Sequence, residues 1–432
     1  MTTRSALLAV LLLAPASVLA QDSTATILAG RVLNVATGAY DSNMVLTIRN
    51  GVIAEMQEAS GRPTAANLID LSAYTVLPGL IDAHAHLCDN SHMEDAFDHM
   101  AYPAPTFGIV GVVNARTTLR AGFTTVRDVS EPFYCDVAVR DAITAGWIEG
   151  PTVLASGQII TMTGGHGSWG NWLGPPHRLT SDVNLIADGV DGVRRAVREL
   201  IQHRVDVIKV AATGGFGTSG TLPGAASYTI EELAAIVDEA RKRGLPVAAH
   251  AHGVEGIANA IRAGVTSIEH GTFVDEATIA MMKEHDVFLV MDLLAARYDF
   301  VEEDKDFSDK ALAEDNAAEY AKMEGRFRQA YEAGVRIVFG TDAGVVAHGR
   351  NAEQFRLMVA AGMSPIDAIR SATIRAAELL GIEAQVGSIA AGKRADLIAV
   401  SGDPLRDVRT LERPQFVMKA GRVYTPMPGE NR

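Results

Sequence analysis

The stretch GLIDAHAHLCDN, residues 79–90, ends an apolar run in two imidazoles one residue apart. Successive side chains of an extended segment alternate between faces, so His84 and His86 share one face at the end of this run. Such a pair can hold one metal ion; a pair of satisfied core histidines is the plain alternative. The rest of the chain has to decide between them.

Downstream, short β-branched runs alternate with helical stretches, the pattern of a parallel sheet built from strand-helix units. Eight runs stand out: TVLPGLIDAHAH (75–86), TTVRDV (124–129), TVLASG (152–157), DVIKVAAT (206–213), PVAAHAH (246–252), SIEHG (267–271), VFLVMDL (287–293) and RIVFGTD (336–342). Eight units predict an α/β fold closed into a (β/α)8 TIM-type barrel over residues 76–383. The helices between them have readable ends. In YTIEELAAIVDEARKRG, Thr229 is placed to cap the helix with Glu232 three residues on, and Ile230, Leu233, Ile236, Val237 and Ala240 form an apolar stripe ahead of Gly244. The flanks, residues 21–75 and 384–432, are short strands broken by Gly, Asn and Asp turns, and they predict one small β-sandwich domain made from both chain ends.

The 432 residues are 48% hydrophobic and 21% charged, ordinary globular material for one large domain and a smaller one. The opening MTTRSALLAVLLLAPASVLAQ has a basic Arg4, an apolar core from Ala6 to Ala14 and small residues before Gln21. It is expected to be a signal peptide over residues 1–20, cleaved after Ala20, which exports the chain to a periplasmic or secreted location. Its apolar run is too short to span a bilayer, so no membrane association is expected after its removal. The net charge of −14 becomes −15 without Arg4, and an acidic surface argues against nucleic acid or anionic membrane as a partner. Cys88 and Cys135 allow one disulfide, with their state left open, and homo-oligomerisation is equally open.

In a barrel of this kind reactive groups gather at the C-terminal strand ends. Here the first run ends in His84 and His86, the fourth carries Lys209, the fifth ends in His250 and His252, the sixth in His270 and the eighth in Asp342. A reading as core histidines must explain five histidines, a lysine and an aspartate at corresponding ends of five strands; imidazole and carboxylate are the usual ligands of a zinc-type ion. Lys209, set among apolar residues, would suffer desolvation and like-charge repulsion beside divalent cations, and both favour a neutral amine. Such an amine can add carbon dioxide to give an anionic carbamate with two oxygens able to bridge two metals. Asp342, in VFGTDAG, is the candidate carrier of the attacking water's proton to a leaving nitrogen.

These residues give the chain its resemblance to the amidohydrolase superfamily, whose members have a metal-dependent distorted barrel and a flanking β domain. The resemblance covers nearly the whole mature chain, through PGLIDAHAHL, GFTTVRDV, VIKV, AAHAHG, IEHG, FGTDAG and the tail GSIAAGKRADLIAV. It is nearest to the imidazolonepropionase-related branch with a carboxylated lysine, which includes Xaa-Pro and Xaa-Arg/Lys dipeptidases and ochratoxin-type amidases. The resemblance implies two divalent ions, usually zinc, bridged by N6-carboxylated Lys209, with His84, His86 and Asp342 on the buried ion and His250 and His270 on the exposed one. His252 then orients the scissile carbonyl, and His166 and Tyr228 match positions that meet a substrate's C-terminal carboxylate. Asp89 lies where substrate preference is expected to be tuned, and His348 is read as a support behind Asp342. Asp292 stands where relatives often show Pro-Thr, so the dipeptide preference is not carried over, and FGTSG (216–220) adds a glycine-rich edge.

The expected activity is hydrolysis of a small-molecule amide or dipeptide, releasing a C-terminal amino acid. The alternative is a hydrolase or deaminase of a cyclic amide or amidine such as an imidazolone. A binding protein on the same scaffold would be expected to have lost a ligand or Asp342, and all are present. Histidine and carboxylate ligands also admit cobalt, manganese or nickel.

Overall fold

The computed structural model describes residues 24–89, 102–172, 184–298 and 310–425, so the expected signal segment lies outside the described residues. The described chain opens with strands β1 (Thr24–Asn34), β2 (Ala39–Arg49), β3 (Val52–Glu58) and β4 (Leu68–Pro78). Then come β5 (Leu80–Ala85), β6 (Phe123–Asp128), β7 (Thr152–Ala155), β8 (Ile160–Thr161) and β9 (Leu185–Ile186). They are followed by β10 (Ile208–Ala211), β11 (Val247–Ala251), β12 (Ser267–His270) and β13 (Phe288–Val290). Finally β14 (Leu397–Val400), β15 (Phe416–Lys419) and β16 (Arg422–Val423) return to the first sheet.

That first sheet has the order β16-β15-β14-β4-β1-β2-β3, so strands from both chain ends build one separate layer. The ends meet where β14 runs antiparallel to β4, with Leu397 opposite Pro78. Ile27, Leu46, Ile53, Leu71, Val76, Leu397 and Phe416 fill its core.

The barrel consists of two parallel arcs, β5-β6-β7 and β13-β12-β11-β10-β8-β9. One seam closes beside β7, where Asp206 N–H donates to Ala155 O. The other closes through the eighth run, which makes isolated bridges rather than a continuous strand: Leu289 to Ile337 and Ala85 to Ala343. Steric crowding explains the irregularity, because a Cβ on Gly340 would come within 2.9 Å of His84 Cβ, and Asp342 has a left-handed φ of 56°. The result is a distorted TIM-type α/β barrel with a separate small sheet.

Two local expectations are corrected. Run 75–86 is two strands in two sheets, broken at Gly79, where a Cβ has no room beside Thr124. In helix Ile230–Arg241 the Thr229–Glu232 capping box is present and Leu233, Ile236, Val237 and Ala240 are buried, but Ile230 is exposed. Ile230 is the first helical residue, at the end that extends past its buried stripe. Among the described residues no helix is long and apolar enough to cross a membrane.

Candidate metal centre

The C-terminal strand ends bring the expected side chains together. Asp342 Oδ1 lies 2.9 Å from His86 Nε2 and 3.4 Å from His84 Nε2. Ring centroids are 4.8 Å apart for His84 and His270, and 4.5 Å for His270 and His250. Potential ligand atoms of His84, His270 and Asp342 lie within 4.8 Å of one another, and so do those of His250, His252 and His270. His270 therefore belongs to both groups and joins them into one extended site.

The other ring nitrogens explain why these imidazoles face inward. His84 Nδ1 is 2.9 Å from Glu269 Oε2, and His270 Nδ1 is 2.9 Å from Asp292 Oδ2. His86 Nδ1 donates to Ser130 O at 2.9 Å, and His250 Nε2 donates to Gly214 O at 3.1 Å. A carbonyl can only accept, so the opposite nitrogens of His86 and His250 are left to present lone pairs to the site. His84 and His270 are thus each backed by a carboxylate, and His86 and His250 by a main-chain carbonyl. Lone pairs and a carboxylate converging on one space are what a divalent cation satisfies, and the donor set fits one. In the chain alone, a proton takes that place: burial disfavours it on His86, but Asp342 holds the pKa up at about 9. Burial likewise opposes ionisation of Asp342, yet His84 and His86 keep it well below the usual carboxylate range.

Lys209, on β10, is only 2% exposed, and burial lowers its pKa to about 8. Among the described residues its Nζ makes no hydrogen bond or ion pair, which is costly for a buried ammonium. Two residues of the site also carry backbone strain: His270 has φ 68° and Asp342 φ 56°. The left-handed conformation costs a non-glycine L-residue roughly 1–2 kcal/mol and is retained where the surrounding structure imposes it.

Among the remaining expected residues, His252 is buried, with Nδ1 2.7 Å from Thr272 Oγ1 and its ring stacked on His270 at 4.8 Å. His166 stacks on His250 at 4.1 Å, Thr218 Oγ1 is 2.9 Å from its Nδ1, and burial lowers its pKa to about 3. Tyr228 is not brought into this group: its buried hydroxyl donates to Ala187 O at 2.8 Å, so it packs at the helix entry. Asp89 is half-buried near the start of the loop that follows β5, and its carbonyl accepts from Asn114 Nδ2. His348 stands behind His86 rather than Asp342, donating from Nε2 to His86 O at 3.1 Å. Asp292, where relatives often show Pro-Thr, backs His270. Cys88 and Cys135 form a disulfide.

Sequence reading missed the supports beneath these ligands. Arg127 Nη2 reaches both oxygens of Glu269, at 2.7 and 2.8 Å, while its Nε donates to Ala83 O. Asp82 accepts from Thr341 Oγ1, Asn351 Nδ2 and His84 N, tying the eighth run to β5. The available signal was charge inside apolar runs: Asp82 in LIDAHAH, Arg127 in TTVRDV and Glu269 in SIEHG. A buried charge in such a run demands a partner.

The chain matches the amidohydrolase family model over residues 75–427. It is 31% identical to the ochratoxinase of Aspergillus niger over 428 residues, covering 93% of this chain and 87% of that protein. Its fold is similar to that of a Xaa-Pro dipeptidase solved with methionine bound in the active site, with TM-score 0.85, 35% identity and coverage of 94% and 100% of the two chains. A prolidase solved with N-methylphosphonate-L-proline is similar at TM-score 0.82 and 30% identity, covering 93% of this chain and 99% of that one. With the family model spanning the barrel and both ligand groups standing at its mouth, this chain belongs to the amidohydrolase family, as a metal-dependent enzyme.

Proposed function

We propose that the chain hydrolyses the amide bond of a dipeptide or N-acyl amino acid and releases the C-terminal amino acid, with two zinc ions bridged by N6-carboxylated Lys209. The observation that carries this reading is the buried Lys209 side chain, whose amine makes no hydrogen bond or ion pair among the described residues, beside the two ligand groups that share His270. The relatives support the bond type, since they include a dipeptidase, a prolidase and an ochratoxinase.

Two ions held by His84, His86, Asp342, His250 and His270 would polarise the scissile carbonyl and acidify the attacking water. Asp342 takes the proton of that water and delivers it to the nitrogen as the C–N bond breaks, leaving a carboxylate and a free amino acid. His252, its Nδ1 held by Thr272, turns its Nε2 to the carbonyl oxygen. His166 meets the carboxylate of the leaving amino acid, and Asp89 shapes the first loop around the substrate. Export through residues 1–20 belongs to the same proposal, and N-terminal sequencing of protein recovered outside the cytoplasm checks it.

The test is a screen of mature, zinc-loaded, metal-counted protein against dipeptides and N-acyl amino acids varied at each end. Two ions per chain and release of the C-terminal amino acid are expected. Turnover of an imidazolone but no linear amide would instead establish the cyclic-amide reading.

A further inference from the structure

We propose that Phe216 selects the substrate, by packing on an aromatic or long aliphatic side chain of the leaving amino acid; this rests on the reading that His166 meets that amino acid's carboxylate. Phe216 is 44% exposed at the mouth of the barrel, yet its ring stands edge-on to His252 at 4.9 Å and lies 6.3 Å from Phe273. The loop that carries it is anchored to the site. Gly214 O accepts from His250 Nε2, Thr213 Oγ1 accepts from His252 N, and Thr218 Oγ1 bonds His166 Nδ1. Phe216 is therefore fixed relative to three histidines of the centre, despite its exposure.

Gly215, its neighbour, lies so close to His166 that no Cβ fits between them. This close approach puts Phe216 on the side of the site where His166 would hold the leaving carboxylate, rather than on the acyl side. Leu222, 72% exposed, is a second apolar residue of the same loop, its backbone packed on Gly214. Apolar groups on the lip of an otherwise polar cluster gain stability when a ligand covers them. Among the described residues the cation beside Phe273 is already committed: Arg326 lies 5.5 Å over the Phe273 ring, pairs with Glu319 at 2.9 Å and donates to Thr272 O. The rim thus favours an apolar side chain over a charged one.

The test uses the mature, zinc-loaded chain. Isothermal titration with L-phenylalanine, L-leucine, L-alanine and L-lysine is paired with kcat/KM for the four N-acetyl derivatives and for an N-acyl-glycine series. Phenylalanine and leucine are expected to exceed alanine and lysine by about tenfold in both readouts, the scale of one buried aromatic contact. Phe216→Ala should bring the four within about twofold at unchanged metal content, and Phe216→Leu should retain the preference for leucine. A preference that survives Phe216→Ala, or that follows the acyl group, overturns the assignment. Selective binding of the free amino acids without hydrolysis of any derivative would sink the hydrolytic reading and leave the role of Phe216 standing. Equal hydrolysis of all four would do the reverse.

Discussion

Glu269 Oε2 sits 2.9 Å from His84 Nδ1, and the Arg127 guanidinium spans both oxygens of the same carboxylate. Burial pushes the Glu269 carboxyl up, but Arg127, the His84 hydrogen bond and the charge of Lys209 together outweigh it and hold the carboxyl well below the usual range. The carboxylate is thus a fixed acceptor that locks the His84 tautomer. Glu269→Gln keeps the shape but not the charge, and metal affinity is expected to fall about 10- to 100-fold in chelator competition. Glu269→Ala leaves Arg127 buried and unpaired, and should cost roughly 3–5 kcal/mol in denaturant unfolding. Wild-type metal retention in both variants would show that His84 needs no such support.

Asp342 touches both His84 and His86, so it is placed both to ligate and to move a proton. Asp342→Asn keeps an oxygen in place but cannot accept the proton of the attacking water. At full metal occupancy, kcat/KM on the best substrate should fall by roughly a hundred- to ten-thousandfold. A variant that holds two ions and turns over like wild type would remove Asp342 from proton transfer.

The barrel and the side chains that converge at its mouth were legible because both are written locally. Apolar runs alternating with helical stripes specify strand-helix units, and His84, Lys209, His250, His270 and Asp342 each fall at or near the end of such a run. Supports are non-local. Glu269 meets Arg127 across 142 residues of chain and His84 across 185, and the spacing of any one segment carries no trace of those meetings. Tyr228 shows the same dependence on the folded chain. A residue in the right motif position can spend its hydroxyl on a carbonyl, here Ala187 O, that only the folded chain brings near. The eighth run read as an ordinary strand because nothing in RIVFGTD reveals the close approach of Gly340 to His84.

Lys209 supplies a chemical test independent of turnover. If its amine carries carbon dioxide when the ions are bound, protein reconstituted in 13C-bicarbonate should show one carbamate carbon resonance that Lys209→Ala lacks. The variant should also retain fewer than two ions per chain after dialysis, because the anionic bridge is gone. Two ions held firmly by Lys209→Ala would exclude a bridging role.

The Cys88–Cys135 disulfide joins residues 47 apart and pins the segment after β5, two residues beyond His86, to helix Cys135–Thr144. The same segment is held by Leu87 N–H donating to Asp128 Oδ2 and Cys88 N–H donating to Glu131 Oε1. Cross-linking a loop of this length restricts the unfolded chain and typically stabilises the fold by about 2–4 kcal/mol. The Cys88→Ser, Cys135→Ser double variant, which leaves no lone thiol, should unfold at lower denaturant by that amount. Because the two backbone hydrogen bonds persist without the sulfur bridge, His86 should keep its place in the folded state and the variant should still bind two ions at saturation. Loss of metal at saturation, with the fold intact, would mean that the bridge itself, and not the Asp128 and Glu131 carboxylates, holds His86 to the centre.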